Sequence, residues 1–399
     1  MKNLIPLLAA LLFLISCGND KEKEVEQNTI DLNALWNSED YLKLSELAES
    51  IEYVALETNE KCVLDNASSL RGVKSGDRIF IYSRESNIRV FNGNGKYLFD
   101  LGSYGQGPEE YISIQLKADS SSKLVWILDS RQHKVLKYDY SGNFIESFKI
   151  HDDVVKFSLL DDSQIALLKM PYPGQEKKAI SVQIASLSGE IVEDIFLDSL
   201  PAYQGGSQPR ARSFLANIDG KLHVSVSPFR QILQLNEHNL WDTILTINHG
   251  ENTAEDELYN GPYQTLLGST HLSYVSELSG HILINGLYER TNRYFLYDKS
   301  NKTTRLNHLV AETTNRGDMI GFLNDIDGGL PFWPAGSAGE NTYMRIYNAQ
   351  RYIDMANGEI EYYYVEQDTN LSEDLKFLCE SLTPDDNPVI MLVKFKKDS

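Results

Sequence analysis

The stretch Ile79-Phe80-Ile81-Tyr82 … Ile88-Arg89-Val90-Phe91 … Gly95-Lys96-Tyr97 returns as Trp126-Ile127-Leu128-Asp129 … Val135-Leu136-Lys137-Tyr138 … Gly142-Asn143-Phe144, every position displaced by 47 residues. The same displacement carries Gly142 to Gly189, Val135 to Val182 and Phe144 to Ile191. Each copy reads as strand, polar loop, strand, glycine turn, strand. The turn glycines follow Asn94, Ser141 and Ser188, and Asn-Gly and Ser-Gly suit tight hairpins. Four-stranded units of roughly 40–50 residues stacked in a ring make a β-propeller. Both faces of each sheet are then buried against neighbours, which explains strands that are apolar almost throughout. A large β-sandwich is the competing architecture, and a fixed 47-residue interval argues against it.

Further copies are more diverged. Leu222–Val226 with Ile232–Leu235 gives a fourth unit, and His281–Ile284 with Tyr294–Tyr297 a fifth. The chain closes on Val389–Phe395, a strand with no glycine turn after it. Its missing outer partner is assigned to Ile51–Leu56, so that a sixth blade is built from both ends of the chain. The spacing predicts a helix over Tyr343–Asn357 and a shorter one over Ser372–Leu382, with Ser372 as cap and Glu373 and Asp374 in the first turn. Both are expected as insertions in the sixth blade. The fold class is therefore all-β, a six-bladed propeller closed by N- and C-terminal strands with short helical insertions.

The N-terminus reads as a targeting segment. Met1-Lys2-Asn3 is followed by the apolar run Leu4–Ile15, shorter than the roughly 20 residues of a membrane span. It ends in Leu14-Ile15-Ser16-Cys17, which resembles the lipobox of bacterial lipoproteins. Residues 1–17 are then the signal peptide, with Cys17 as lipid attachment site. Residues 18–30 open with the polar run Gly18–Gln27 and read as a disordered tether; this acidic run resembles the surface-export signal of Bacteroidetes lipoproteins. Residues 31–399 are expected as one propeller domain. The implied location is the bacterial envelope, anchored at the outer membrane on its periplasmic or outer side.

A net charge of −20 excludes nucleic acid as a partner, since phosphate binding needs a basic field. After Cys17 only Cys62 and Cys379 remain, with no CxxC pair for a structural zinc site. If their flanking strands pair, a disulfide between them would fasten the ring; two separate buried thiols are the alternative. The eight histidines form no HExxH or HxH pattern, and the chain has no GxSxG elbow, P-loop or other cofactor motif. Asn324-Asp325-Ile326-Asp327-Gly328 spaces oxygens as a Ca²⁺ loop does, but it reads better as an Asx-rich turn. Neither a metal nor a cofactor is expected.

In a propeller, the loop between the second and third strands of each blade shares a face with the connection to the next blade. Those loops contain Arg84, then Arg131 and His133, then Arg230, then Arg290 and Arg293, with Lys177 and Lys178 in the third. The connections add Gln106 and Glu109, Arg210 and Arg212, and Tyr263. A face ringed by guanidiniums and aromatics follows, able to bind carboxylates, phosphates or sugars. The alternative is that each Arg bridges a carboxylate of the neighbouring blade. The Gly-rich connection Leu101–Tyr111 is expected to be architectural: no Lys or helix start follows it, as a phosphate cradle would need.

Residues 51–150, with Gly105-Gln106-Gly107-Pro108-Glu109-Glu110-Tyr111 between blades, resemble the six-bladed propeller lipoproteins of Bacteroidetes. The phrase Phe91-Asn92-Gly93-Asn94-Gly95-Lys96 matches their repeated Phe-Asp-x-x-Gly-Lys pattern. Asn324–Gly329 with Phe332-Trp333-Pro334, and the ending Asp386–Ile390, match as well. The blades are also similar to NHL-type repeats. The resemblance implies fold and compartment; fold does not fix activity. A non-catalytic binding propeller for a glycan, peptide or partner protein is the first expectation. A hydrolase or lyase with its site in the channel is the second, and a scaffold of an envelope complex the third.

Overall fold

The structure, a computed structural model, describes residues 28–38, 40–171, 179–199, 213–226, 230–248, 250, 271–278, 280–288, 291–307, 310–313, 317–363 and 370–396. Ahead of the first complete blade come strand β1 (Thr29–Asp31), the one-turn helix α1 (Leu44–Leu47) and β2 (Ala48–Ala55). Blade 1 is β3 (Arg71–Ser75), β4 (Arg78–Tyr82), β5 (Ile88–Asn92) and β6 (Tyr97–Leu101). Blade 2 is β7 (Gln115–Asp119), β8 (Leu124–Asp129), β9 (Lys134–Asp139) and β10 (Phe144–Lys149). Blade 3 is β11 (Val154–Leu159), β12 (Gln164–Lys169), β13 (Ala179–Ser186) and β14 (Ile191–Ser199). Blade 4 is β15 (Ser213–Ile218), β16 (Lys221–Val226), β17 (Gln231–Leu235) and β18 (Trp241–Asn248). Blade 5 is β19 (His271–Glu277), β20 (His281–Tyr288), β21 (Thr291–Asp298) and β22 (Thr303–Asn307). After β23 (Val310–Thr313) and β24 (Gly317–Ile320), blade 6 begins with β25 (Gly336–Gly339) and β26 (Thr342–Tyr347). Helix α2 (Ala349–Ala356), β27 (Ile360–Tyr363) and helix α3 (Glu373–Ser381) precede the last strand, β28 (Val389–Phe395).

Blade 6 has the order β25-β26-β28-β2, so its outermost strand comes from the N-terminus. β2 runs antiparallel to β28, with Tyr53 opposite Met391. The ring is thus fastened by main-chain hydrogen bonds between the two ends of the chain. Strands β25, β3, β7, β11, β15 and β19 each touch the next and surround the axis.

The apolar sequence of the middle strands has a direct cause. In β28, Ile390 and Leu392 pack into the wedge between blades 6 and 1, while Met391, Val393 and Phe395 pack into that between blades 5 and 6. In β8, Val125 and Ile127 face blade 1 and Trp126 and Leu128 face blade 3. Alternation thus sends successive side chains into two different cores. Burying one aliphatic side chain stabilises the fold by about 1.5–3 kcal/mol, so a single polar substitution on either face is costly.

The 47-residue glycines also have a cause. Gly95, Gly142 and Gly189 have φ of +81°, +88° and +88°. A Cβ there would meet the outer strand of the preceding blade: Ala55 O at 2.1 Å, Phe99 at 2.8 Å and Phe148 at 2.4 Å, respectively. Backbone conformation and close approach both demand glycine.

Three sequence expectations are amended. Thr29 and Ile30, read as tether, belong to β1, which adds a fifth, parallel strand to the outer edge of blade 4, with Ile30 buried. The helix expected over Tyr343–Asn357 is strand as far as Tyr347 and helix from Ala349, because Met344 and Ile346 alternate into the wedge between blades 6 and 1. Cys62 and Cys379 are both free and lie in different cores, which removes the disulfide alternative. Cys62 instead donates to Glu57 O (3.1 Å). Helices α2 and α3 do fall inside blade 6, between β26 and β28, and Ser372 caps α3 by accepting from Leu375 N (3.3 Å).

Candidate binding face

The loops between second and third strands and the connections between blades do share a face, and hydrogen bonds tie them together. Tyr104 N donates to Asn87 Oδ1 (2.9 Å), joining the first connection to the loop of blade 1. The Gln132 side chain donates to Gly105 O (3.0 Å), joining it to the loop of blade 2. Tyr111 is fully buried beneath the connection; its hydroxyl accepts from Ile88 N (2.8 Å) and donates to Leu101 O (2.7 Å). These bonds hold the strand ends of blade 1 against the start of blade 2.

The glycines of residues 101–111 admit a side chain of the same loop. Glu110 folds back so that its Oε2 accepts from Gly107 N (2.7 Å). A Cβ on Gly105 would stand 2.1 Å from that oxygen. Lys134, buried beside it, donates to Gly107 O (2.8 Å) and Pro108 O (3.2 Å). Burial lowers the Lys134 pKa, opposed by the nearby carboxylates of Asp129 and Glu110. The loop is a corner, as its sequence implied, and the Glu110 carboxylate and the Lys134 ammonium are consumed in making it.

Asp129 organises the loop of blade 2. It is fully buried and accepts from Ile112 N (2.7 Å), Ser113 Oγ (2.8 Å), Arg131 N (3.0 Å), Gln132 N (3.0 Å) and Gln132 Nε2 (2.8 Å). Burial works to raise its pKa, but these donors outweigh it and hold the carboxyl below the usual range. The carboxylate fixes the loop and leaves the Arg131 side chain free to point outward.

The structure places the expected site residues unequally. Arg84 and Arg131 are exposed, and neither guanidinium has a partner among the described residues. Bridging to a neighbouring carboxylate, the alternative weighed for every Arg, does not occur at these two. Gln106 and Glu109 are also exposed, at the tip of the first connection. His133 is half-buried with φ +54°, and its Nδ1 is buried without a partner. Arg230 is half-buried and already has a partner. Arg293 is half-buried and donates to Trp36 O (3.4 Å), which fastens the N-terminal segment rather than facing a ligand. Trp36 itself stacks on Tyr288 with ring centroids 5.3 Å apart. Arg210, Arg212, Tyr263, Arg290, Lys177, Lys178 and Cys17 lie outside the described residues.

The oxygens of Asn324–Gly328 are engaged in structure. Asp327 accepts from Tyr53 OH (2.9 Å), Asn324 Nδ2 (2.7 Å) and Gly329 N (3.0 Å), and Asp325 accepts from Ser45 Oγ (2.6 Å). Burial, with Tyr352 and Asp327 close by, pushes the Tyr53 hydroxyl far above its ordinary range. This is the Asx-rich turn, locking α1 and β2 to the blade-6 segment. Elsewhere His151, Asp152 and Asp153 converge on the connection between blades 2 and 3, with His151 Nδ1 2.8 Å from Asp153 Oδ1. His151 and Asp152 are exposed there.

Sequence reasoning looked for cations in loops and passed over the axis. Lys117 on β7 and Lys156 on β11 line adjacent inner strands and are half-buried. Burial lowers the pKa of both, and Lys156 lowers that of Lys117 further. They stand 39 positions apart, outside the 47-residue register, so no repeat marked them.

The sequence profile of a domain of unknown function, DUF4934, matches residues 27–394. No curated protein matches the chain. Among solved structures, a protein of Bacteroides fragilis inferred to be exported is similar, with TM-score 0.67 and 16% identity over 92% of this chain and 99% of that one. A DUF4221 member from Bacteroides vulgatus has TM-score 0.47 and 9% identity, covering 88% and 98%. Virginiamycin B lyase from Staphylococcus aureus has TM-score 0.41 and 11% identity, covering 86% and 99%. The first of these likenesses bears on the fold alone, and the other two carry no argument. Among the described residues no helix is long and apolar enough to cross a membrane.

Proposed function

This chain belongs to the DUF4934 family, and from that premise we propose that it is a binding propeller of the bacterial envelope, holding an acidic glycan, peptide or partner protein against the loop face. One observation carries the reading: Arg84 and Arg131 occupy equivalent stations 47 residues apart, exposed and unpaired, in a chain of net charge −20. In so acidic a protein, guanidiniums left without a carboxylate are available to one brought by a ligand. The rigid, hydrogen-bonded loops beneath them keep the entropy cost of binding low. The lipobox at Cys17, and a similar fold in a Bacteroides protein inferred to be exported, support an envelope location with a lipid anchor. The channel hydrolase or lyase is the second reading; His151, Asp152 and Asp153 are the convergent group it would draw on.

Titration of the mature protein with acidic and neutral oligosaccharides and peptides tests the reading. Arg84→Ala with Arg131→Ala is expected to weaken acidic ligands about tenfold or more, the scale of a lost charge-assisted pair. Equal affinity for acidic and neutral ligands, or none for either, would overturn it.

A further inference from the structure

We propose that the rim of the turn face in blades 1 to 4 is a lipid-contacting surface, on which the propeller lies against a zwitterionic bilayer with its loop face turned away. The turn face is the one opposite the loop face, where the turns between third and fourth strands lie. The proposal rests on the reading of Cys17 as lipid attachment site, and the experiment below separates the two.

A repeated exposure carries it. In blades 1 to 3 the outer strand bulges directly after the glycine turn, which leaves Leu98, Ile145 and Val192 without a partner in the ladder. All three are exposed, and they stand 47 residues apart. Each is the second residue of the outermost strand of its blade, β6, β10 or β14. Blade 4 adds Leu240, 62% exposed, in the turn before β18. Trp241 Nε1 donates to Phe196 O (3.1 Å) and Asn239 Nδ2 to Glu193 Oε2 (2.6 Å). These bonds fix that turn against β14, which exposes Ile191 and Phe196 besides Val192. Single apolar side chains on a surface need no explanation. One station filled by Leu, Ile and Val in successive blades does. In blade 5 the station passes to Arg305, which pairs with Asp40 and Glu46 of the N-terminal segment.

Geometry, chain path and charge name the occupant. Equivalent stations of a propeller lie on a circle around its axis, so these side chains reach a common plane. A flat surface meets all of them at once, where a bound peptide would meet the edge of one blade. β1 runs parallel to β18, with Thr29 opposite Thr246 and Asp31 opposite Asn248, so the chain enters blade 4 from the side of the turn face. Residues 18–27 separate Cys17 from Asn28. A chain of that length reaches up to about 40 Å, more than the rest of β18 from Thr246 to Trp241, about 17 Å at the strand rise. Acyl chains on Cys17 hold the apolar rim beside the bilayer at high effective concentration, so that a few aliphatic side chains suffice. Asp77, Asp161, Asp162, Glu190, Asp219 and Glu237 are exposed on turns of the same face. They disfavour an anionic surface and select zwitterionic headgroups.

The test uses the lipidated protein extracted from membranes, labelled with nitrobenzoxadiazole at Leu98→Cys, Leu240→Cys or Tyr104→Cys. Cys62 and Cys379 are buried and do not compete for the label. Each sample is reconstituted in phosphatidylcholine vesicles carrying a doxyl-labelled lipid quencher. Leu98 and the exposed Tyr104 lie on opposite faces beside blade 1, so the pair separates facing the bilayer from mere closeness to the anchor. Quenching at Leu98→Cys and Leu240→Cys is expected to be at least about threefold that at Tyr104→Cys, since contacting side chains enter the headgroup boundary. Phosphatidylglycerol in the vesicles should reduce it. Ile145→Ser with Val192→Ser should bring the Leu240→Cys signal toward that of Tyr104→Cys while leaving Tm unchanged, because exposed positions carry little stability. Should that pair not fold, the three labels in the parent carry the test. Intact mass decides the premise: no acyl mass on Cys17 overturns the anchor reading and this proposal with it. Acylated protein with equal quenching at all three labels overturns the proposal alone. A dimer in detergent that Ile145→Ser with Val192→Ser abolishes also overturns it, giving the rim to a second copy.

Discussion

In blades 1 to 3 the turn between third and fourth strands uses Gly95, Gly142 and Gly189; in blades 4 and 5 the residues of positive φ are Asn239 (+57°) and Lys302 (+57°). The polar cap that closes the turn persists throughout. Asn92, Asp139, Ser186, Asn236 and Asp298 all accept backbone N–H bonds from the residues that follow. The glycine, by contrast, is given up where the contact with the preceding blade changes. Asn239 reaches back to Glu193 of β14 through a side-chain hydrogen bond (2.6 Å) instead of clearing space for a ring. Asn also tolerates the left-handed region better than most residues.

The wedges differ in the same sense. On β16, Leu222, Val224 and Val226 face blade 3, while His223, on the opposite face, is buried against blade 5. Its Nδ1 donates to Glu277 Oε2 (2.6 Å), and Lys299 Nζ stands 2.6 Å from Glu277 Oε1. Burial works to raise the Glu277 pKa, but the hydrogen bond from His223 and the charge of Lys299 outweigh it, holding the carboxyl below its ordinary range. Two donors converge on one acid, and that group is self-sufficient. On the inner strands, by contrast, Lys117 shares the blade 2–3 face with Trp126, Lys156 lies opposite Leu168 on the face toward blade 4, and neither has an acid beside it among the described residues.

That contrast can be broken most forcefully at Glu277. Glu277→Ala leaves His223 and Lys299 without their acceptor and is expected to cost about 3–5 kcal/mol, read from urea unfolding at neutral pH. A loss under about 1 kcal/mol would mean that the cluster is wet and weak. The sign of the pH effect follows from the depressed pKa. The stabilisation is complete above the unfolded Glu value and is lost as pH falls through the folded one. Glu277→Gln should therefore flatten the acid limb of the stability curve. Asp119 keeps titrating to lower pH: burial alone would raise its pKa, but the hydroxyls and amides of Ser121 and Ser122 hold it at about 2.

The turn glycines sharpen the comparison at the next scale. At Gly95 a methyl group meets backbone, Ala55 O at 2.1 Å, which cannot rotate away; at Gly220, φ +79°, it meets nothing within 4 Å. Gly95→Ala should cost about 3 kcal/mol, from backbone strain plus overpacking, and Gly220→Ala about 1 kcal/mol, from strain alone. Equal losses would show that the 47-residue glycines serve only the turn and not the contact between blades. The smallest effect is expected at the loop face. Arg84→Ala and Arg131→Ala should each change stability by less than about 0.5 kcal/mol, because the loops are held by Asp129, Asn87 and Tyr111 and not by the guanidiniums.

The repeat was readable wherever its chemistry was local. A turn with positive φ marks the sequence with Gly, and a sheet buried on both faces marks it with unbroken apolar strands, so blades 1 to 3 declare themselves. The closure of blade 6 was readable for a similar reason: a terminal strand without a turn needs a partner, and Ile51–Leu56 was the apolar run left over. What escaped depended on neighbours distant in the chain. Nothing in Thr29-Ile30-Asp31 foretells a parallel fifth strand, since its pairing with Thr246–Asn248 follows from where the chain happens to pass. The apolar spacing of Tyr343–Tyr347 suits a helix or a strand, and only the partner β28 decides between them.

The sequence by itself determined the blade, its period, its closure and the corner role of Leu101–Tyr111, because each rests on residues within one hairpin or on the apolar content of one strand. Tertiary structure alone decided which cations are spent and which remain. Arg84 and Arg131 look the same in sequence as Arg293, and Lys117 and Lys156 look the same as Lys299. They differ in what the neighbouring blade or segment brings up to them, and a charge is neutralised or left bare by that neighbour and not by its own strand.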